Sequence, residues 1–301
     1  MRHYLVGFIC LLMMLGAAPA AGAQACRSTS ATGLIEGSLL VNGRERSYLA
    51  YIPVSYDGTR ALPLLFVFHG FASSPENIMS MADFNPLADE QGIIVVYPRA
   101  SEQPAQWFTG VSVLRPFDDD RDVQFFDALL ADVTSQWCVD AQRVYVVGFS
   151  LGGGMAHRLA CERAERIAAF GTVAGAFSNI PNGCTPERPV PVMALHGLAD
   201  RVVPFEGAGL LLPSVSAWVA GWASRNACVG LPTREPSFEQ GVHFEQCAED
   251  AEVILITGAE IGHTWPGTPR PNRASRMGGR DDGSINATQL LWGFLSRYTL
   301  P

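Results

Sequence analysis

The 301-residue chain contains no lysine. All 21 of its basic residues are arginine, set against 29 acids, for a formal charge of −8. A net acidic chain repels phosphate, which argues against a nucleic-acid partner, and it offers no polybasic patch to an anionic membrane. No run of like charge is long enough to form a solvated tail, and neither repeats nor a low-complexity linker interrupt the chain. There is no C-x-x-C and no paired Cys/His spacing, so a zinc site has no starting point and no metal is expected. Beyond residue 25 no apolar run approaches the ~20 residues that span a bilayer. What is there is ordinary for a globular protein with a sizeable core, 48% hydrophobic and 17% charged. The length suits one large domain or two small ones.

Residues 1–25 read as a secretory signal peptide. Arg2 and His3 precede an apolar stretch from Tyr4 to Leu15, and the small-residue run GAAPAAGAQA follows, with A-x-A cleavage positions at Ala20, Ala23 or Ala25. A membrane anchor is the competing reading, and the apolar stretch is short for one. A lipid anchor on Cys26 would want a large aliphatic residue where Ala-Gln-Ala stands. The chain is therefore expected to be secreted, extracellular or periplasmic, with residues 26–301 as a single domain. Removing the signal leaves 20 arginines against 29 acids, a net charge of −9.

Of seven cysteines, Cys10 leaves with the signal. Cys26, Cys138, Cys161, Cys184, Cys228 and Cys247 remain, an even number that suggests disulfides in an exported chain. Six cysteines admit 15 pairings. Local order suggests Cys161–Cys184 and Cys228–Cys247, leaving Cys26–Cys138.

Along the chain, segments of period 2 and period 3.6 alternate. Two strands, 35–41 and 44–52, flank Asn42-Gly43, a type I′ hairpin signal. LPLLFVFH (62–69), IIVVY (93–97) and 144–149 are short apolar runs of the kind buried on both faces of a parallel sheet. Strands are also expected at 167–173, 190–196 and 252–257. Helical spacing predicts helices over 74–91, 122–137, 150–163, 213–226 and 285–298, the fourth with Pro213 in its first turn. Strand–helix alternation predicts an α/β fold, a mostly parallel sheet with helices on both faces. No segment is long enough for a large lid.

The chemistry centres on Gly148-Phe149-Ser150-Leu151-Gly152, a G-x-S-x-G preceded by a strand and followed by a helix, which is the context of a nucleophile elbow in an α/β-hydrolase. Glycines two residues either side make room for the tight turn, and the helix N-terminus favours a developing oxyanion. A serine needs a base, and in this fold the order is Ser, then an acid, then His. His3 lies in the signal. His69 precedes the serine, and His157 sits on the following helix, nearly two turns along. His243 falls between two cysteines, and His196 stands four residues before the best acid and organises that turn. His263, after the strand VILIT, is the candidate base. Asp200, just past MALHGLA, is the candidate acid, ahead of Asp250 and Glu260. The oxyanion hole is expected from the backbone N–H groups of Leu151 and Phe71, the latter in His69-Gly70-Phe71. Trp265, two residues from the candidate base, and Trp107 are candidate substrate contacts on an aromatic platform, with plain packing the competing and commoner role for Trp107. Asp122, at the end of the run Asp118–Asp122, is expected to cap a helix rather than to bind Ca²⁺, since the run lacks the glycine and glutamate of an EF-hand loop. Arg270, Arg273, Arg276 and Arg280 read as a solvated loop, and Asn286-Ala287-Thr288 as a chance sequon inside a helix.

Taken jointly, HGFASS, Tyr97-Pro98, GFSLGGGMAHRLAC, HGLADRVVPFEG and GHTWPG resemble the secreted polyhydroxybutyrate depolymerases and feruloyl esterases, a carbohydrate esterase family 1-like group of α/β-hydrolases, over most of residues 35–298. The resemblance implies hydrolysis of carboxylic esters without a cofactor, supports Ser150, Asp200 and His263 residue by residue, and favours the disulfide pairs suggested above. The implied substrate is a feruloyl or acetyl ester of plant polysaccharide, or a hydroxyalkanoate polyester. A secreted serine peptidase of the same fold and a non-catalytic secreted binding protein are the competing classes. A peptidase commonly adds a propeller or cap domain that this length does not hold, and an intact triad argues against a mere binder.

Overall fold

Residues 31–110, 119–180, 183–209, 212–234, 241–267, 281 and 283–301 are described by a computed structural model. The signal-like residues 1–25, Cys26, Asp118 and the arginines from 270 to 280 lie outside them.

The wholly buried strand β3 (Leu62–Phe68) is the natural starting point. Its neighbours are β4 (Ile94–Pro98) and β5 (Val139–Phe149), both parallel to it. Beyond β5 come β6 (Ala169–Val173), β7 (Val192–Gly197) and β10 (Val253–Gly258), again parallel. Antiparallel strands finish both ends. β1 (Gly33–Val41) and β2 (Arg44–Ile52) join at β4, while β9 (Val242–Phe244) and β8 (Thr233–Arg234) join at β10. Among the described residues ten strands run in the order β1-β2-β4-β3-β5-β6-β7-β10-β9-β8. This is the α/β-hydrolase fold, a mostly parallel sheet covered on both faces.

Strand alternation divides the core in two. Leu64, Phe66 and Phe68 face one layer, packed under α3 (Arg121–Gln136), α4 (Leu151–Glu162) and α5 (Val215–Arg225). Leu65 and Val67 face the other, under α1 (Pro75–Ala82), α2 (Phe84–Gln91) and α6 (Ala287–Leu295). The chain leaves β3 for β4 on one side and returns as β5 on the other. The C-terminal ends of β3 and β5 therefore open a crevice, the switch point where ligands of open α/β sheets bind.

Local chemistry explains most boundaries. Asn42 and Gly43 have φ of 50° and 75°, as a type I′ turn requires. The helical pattern over 74–91 is two helices rather than one. Asp83 adopts the left-handed conformation (φ 49°), its N–H closing α1 on the Met79 carbonyl while its own position begins α2. Aspartate tolerates that region better than most residues, and the break brings both Phe84 and Leu87 into the core. Pro213 does not open α5. Ser214 caps that helix instead, accepting from the Ala217 amide. Asn286 likewise caps α6 through the Gln289 amide.

Asp122 is not a helix cap. Its carboxylate is buried and pairs with the buried Arg46 guanidinium at 2.8 Å, and its second oxygen accepts the Phe108 amide at 2.8 Å. Arg46 lies 3.9 Å over the Phe125 ring. Burial pushes the Asp122 carboxyl above its ordinary range, and the Arg46 charge opposes that shift. The pair anchors the segment that leads into α3.

Disulfides join Cys161 to Cys184 and Cys228 to Cys247, with Cα separations of 5.0 and 3.8 Å. Cys138 is also disulfide-bonded; its expected partner, Cys26, is not among the described residues. His157 sits beside Cys161 and Cys184, but the two sulfurs are bonded to each other and offer no thiolate to a metal. Burial pushes the His157 imidazole down to about 3, so it is neutral and accepts the Trp222 indole N–H at 3.2 Å.

Candidate active site

Three loops meet at the crevice. The first is the turn from β5 into α4. Ser150 occupies it with φ 55° and ψ −121°, a conformation that costs a non-glycine residue about 1–3 kcal/mol. The surroundings enforce it. The Ser150 amide donates to the Val173 carbonyl at 2.9 Å, and the Ser150 carbonyl accepts from the amides of Gly153 (2.9 Å), Gly154 (3.2 Å) and Ala176 (2.9 Å). The flanking glycines are steric necessities: a Cβ on Gly148 would lie 2.0 Å from the Gly152 carbonyl oxygen, and one on Gly152 would lie 2.2 Å from that of Phe68.

The second loop follows β3. Gly70 packs against the nucleophile turn so closely that a Cβ there would lie 3.2 Å from Ser150 Cβ. Among the described residues, neither the Leu151 amide nor the Phe71 amide has a hydrogen-bonding partner. Both stand next to residues that touch across the crevice.

The third region is formed by the loops after β7 and β10, tied together by two backbone bonds: Leu198 N–H to Gly258 O, and Ala199 N–H to Ile261 O, both 3.0 Å. Gly197 permits this approach, since a Cβ there would lie 2.0 Å from the Ile261 carbonyl oxygen. The result is a contact between side chains 63 residues apart: His263 Nδ1 lies 2.8 Å from Asp200 Oδ2. The other Asp200 oxygen, Oδ1, accepts the Val202 and Val203 amides at 2.8 Å each. A carboxylate only accepts, so this contact selects, for a neutral imidazole, the tautomer with the proton on Nδ1 and the lone pair on Nε2. The His263 ring lies 4.9 Å, centroid to centroid, from the ring of Phe149, the residue before Ser150.

The remaining histidines have other partners. Burial pushes His196 below its ordinary value; it donates from Nε2 to the Val203 carbonyl at 2.8 Å, with Asp200 Oδ2 3.6 Å away. It braces the turn that carries Asp200. His69 is pushed down to about 4 by burial. Its neutral ring donates from Nδ1 to the Gly70 carbonyl at 2.8 Å and accepts the Ala100 amide on Nε2 at 3.2 Å. His243 lies on β9, facing Glu245 and Glu252.

Neither tryptophan offered as a substrate contact presents a face to the crevice. Trp265 is 1% exposed, donates to Thr288 Oγ1 at 2.9 Å and packs edge-on against Phe84. Trp107 is 2% exposed and donates to the His69 carbonyl at 2.8 Å. Each indole has an internal partner for its one donor, so burial is the stable arrangement. Among the described residues, the exposed aromatic beside the site is Phe71, at 57%. The sequence singled it out only for its backbone.

Residues 46–183 match the family described as Esterase PHB depolymerase. Feruloyl esterase D of Neurospora crassa is 32% identical over 64% of this chain and 68% of its own. Feruloyl esterase B of Piromyces equi is 27% identical over 85% of this chain, which spans 46% of that protein's length. Among solved structures, an acetyl xylan esterase from Aspergillus awamori superposes with a TM-score of 0.57 at 14% identity, over 81% of this chain and 97% of its own. At that identity the superposition speaks to fold alone.

Proposed function

The chain belongs to the esterase PHB depolymerase family and is an ester hydrolase, and from that premise we propose that Ser150 is its nucleophile, His263 its general base and Asp200 the group that orients the base. The observation that carries the reading is the 2.8 Å contact between His263 Nδ1 and Asp200 Oδ2, with the imidazole 4.9 Å from the ring of Phe149, the residue before the serine at the strained turn. In the proposed reaction His263 Nε2 takes the Ser150 proton as Oγ attacks the ester carbonyl. The Leu151 and Phe71 amides stabilise the oxyanion. The protonated His263 then gives its proton to the departing alcohol. Water, deprotonated by the same imidazole, attacks the acyl-serine and releases the acid. Each step conserves one proton shared between Ser150, His263 and the leaving group, and no cofactor enters it.

The proposed substrates are feruloyl or acetyl esters on plant polysaccharide, or hydroxyalkanoate polyester. The relatives named as feruloyl esterases support the first, and the family description the second. The disulfides and the signal-like residues 1–25 support an exported protein. Hydrolysis rates for methyl ferulate, p-nitrophenyl acetate and hydroxybutyrate oligomers test the substrate class; turnover of none of the three would overturn it.

The Phe71 ring gives the acyl group an apolar partner at the mouth of the crevice. An aromatic pair contributes about 0.5–1.5 kcal/mol beyond its buried area. Phe71→Ala keeps the backbone amide and removes only the ring. It is expected to raise KM for methyl ferulate by about 10-fold more than KM for p-nitrophenyl acetate. Equal effects on the two esters would remove Phe71 from the acyl site.

A further inference from the structure

The loop between β3 and α1 is held from behind by the segment 105–108. Two bonds make the attachment: Trp107 Nε1–H donates to the His69 carbonyl at 2.8 Å, and the Ala72 amide donates to the Ala105 carbonyl at 2.7 Å. They bracket Gly70 and Phe71. The segment is fixed in turn. The Phe108 amide donates to Asp122 Oδ2 at 2.8 Å, and the Phe108 carbonyl accepts Arg158 Nη1 at 2.9 Å. The indole packs against the rings of Phe68 (centroids 5.2 Å apart, nearly perpendicular) and His69 (5.0 Å, tilted).

The position of the His69 carbonyl matters because it borders the nucleophile turn. A Cβ on Gly152 would lie 2.6 Å from it. Trp107 draws this oxygen toward the protein interior. Without that donor the carbonyl would be a buried acceptor with no partner, which is unfavourable enough to drive rotation of the peptide. The rotation would carry the Phe71 amide, two residues on, out of line. It would also turn an acceptor toward the place where negative charge develops. We infer that Trp107 is a positioning residue of the oxyanion hole, aligning the Phe71 amide through the His69 carbonyl. The inference rests on the proposed role of Ser150 and the two amides.

The test is Trp107→Phe, which keeps an aromatic ring and deletes the donor. Losing an oxyanion donor outright lowers kcat by about 10²–10³, so a displaced donor is expected to lower kcat on p-nitrophenyl acetate by about 10–100-fold, with KM changed by less than about 3-fold. Affinity for benzeneboronic acid, which forms a tetrahedral adduct on the serine, is expected to fall in parallel with kcat. Affinity for benzoate, planar and unreactive, is expected to hold. A purely structural role would lower the Tm and move both affinities together or neither. If Trp107→Phe does not fold, 3-benzothienylalanine at position 107 replaces the N–H with sulfur at nearly constant shape, and the same result is expected. A folded variant of either kind with wild-type kcat would overturn the inference and leave the functional reading intact. Failure of the functional reading is separately visible, as a wild-type protein that hydrolyses no ester or whose Ser150 is not labelled by a fluorophosphonate.

Discussion

Ser150→Ala is expected to lower kcat by on the order of 10⁶-fold on every ester the protein turns over, and to abolish covalent labelling by a fluorophosphonate. The size of the effect follows from the role. Without the hydroxyl no acyl-serine can form, and what would survive is the contribution of the proposed oxyanion amides and of substrate binding. The folded state should change little. Ser150 Oγ makes no hydrogen bond among the described residues, whereas its backbone bonds to Val173, Gly153, Gly154 and Ala176 do not depend on the side chain. Circular dichroism and Tm close to the wild-type values would accompany the loss. Residual activity within tenfold of wild type would mean that the strained turn serves something other than nucleophilic attack.

Asp200→Asn is expected to lower kcat by about 10⁴-fold with a much smaller change in stability. The two carboxylate oxygens do different work. Oδ1 holds the turn through the Val202 and Val203 amides, and Oδ2 faces His263 Nδ1. An asparagine carbonyl can still accept both amides, so the turn persists. Its NH₂ group then faces His263 and donates where the carboxylate accepted. Nδ1 becomes the acceptor, the ring proton moves to Nε2, and the proposed base loses the lone pair it needs. The isosteric change therefore disables the imidazole by selecting the wrong tautomer. Steady-state kinetics alongside thermal melts would check this; a loss under tenfold would show that Asp200 does no more than hold its loop.

Much of this arrangement is legible in the sequence, for identifiable reasons. Strands buried on both faces appear as apolar runs, and LPLLFVF became β3. The spacing of Gly148, Ser150 and Gly152 announces a turn that tolerates no Cβ on either side, and the structure puts backbone oxygens where those Cβ atoms would go. The closeness of Asp200 and His263 is anticipated by chain order. What the sequence hides is the destination of polar groups. Asp122 resembles a helix cap in every local respect. Its partner, Arg46, lies 76 residues away, and no periodicity connects them. The break at Asp83 is a backbone choice by a residue that is acceptable in either conformation. Trp265 misleads for a related reason: proximity to His263 suggested a substrate contact, yet its indole N–H found an internal acceptor and the ring went inside, as Trp107 also does. Phe71, with no polar atom to satisfy, stayed outside.

Ser150, His263 and Asp200 are expected to act as one unit, and non-additivity measures that directly. kcat on p-nitrophenyl acetate should be determined for Ser150→Ala, for His263→Ala and for the variant carrying both. If the imidazole acts only through the serine hydroxyl, the double variant will be no slower than the slower of the two singles. If the two losses multiply, the residues work independently, and the assignment of His263 as the base of Ser150 is wrong.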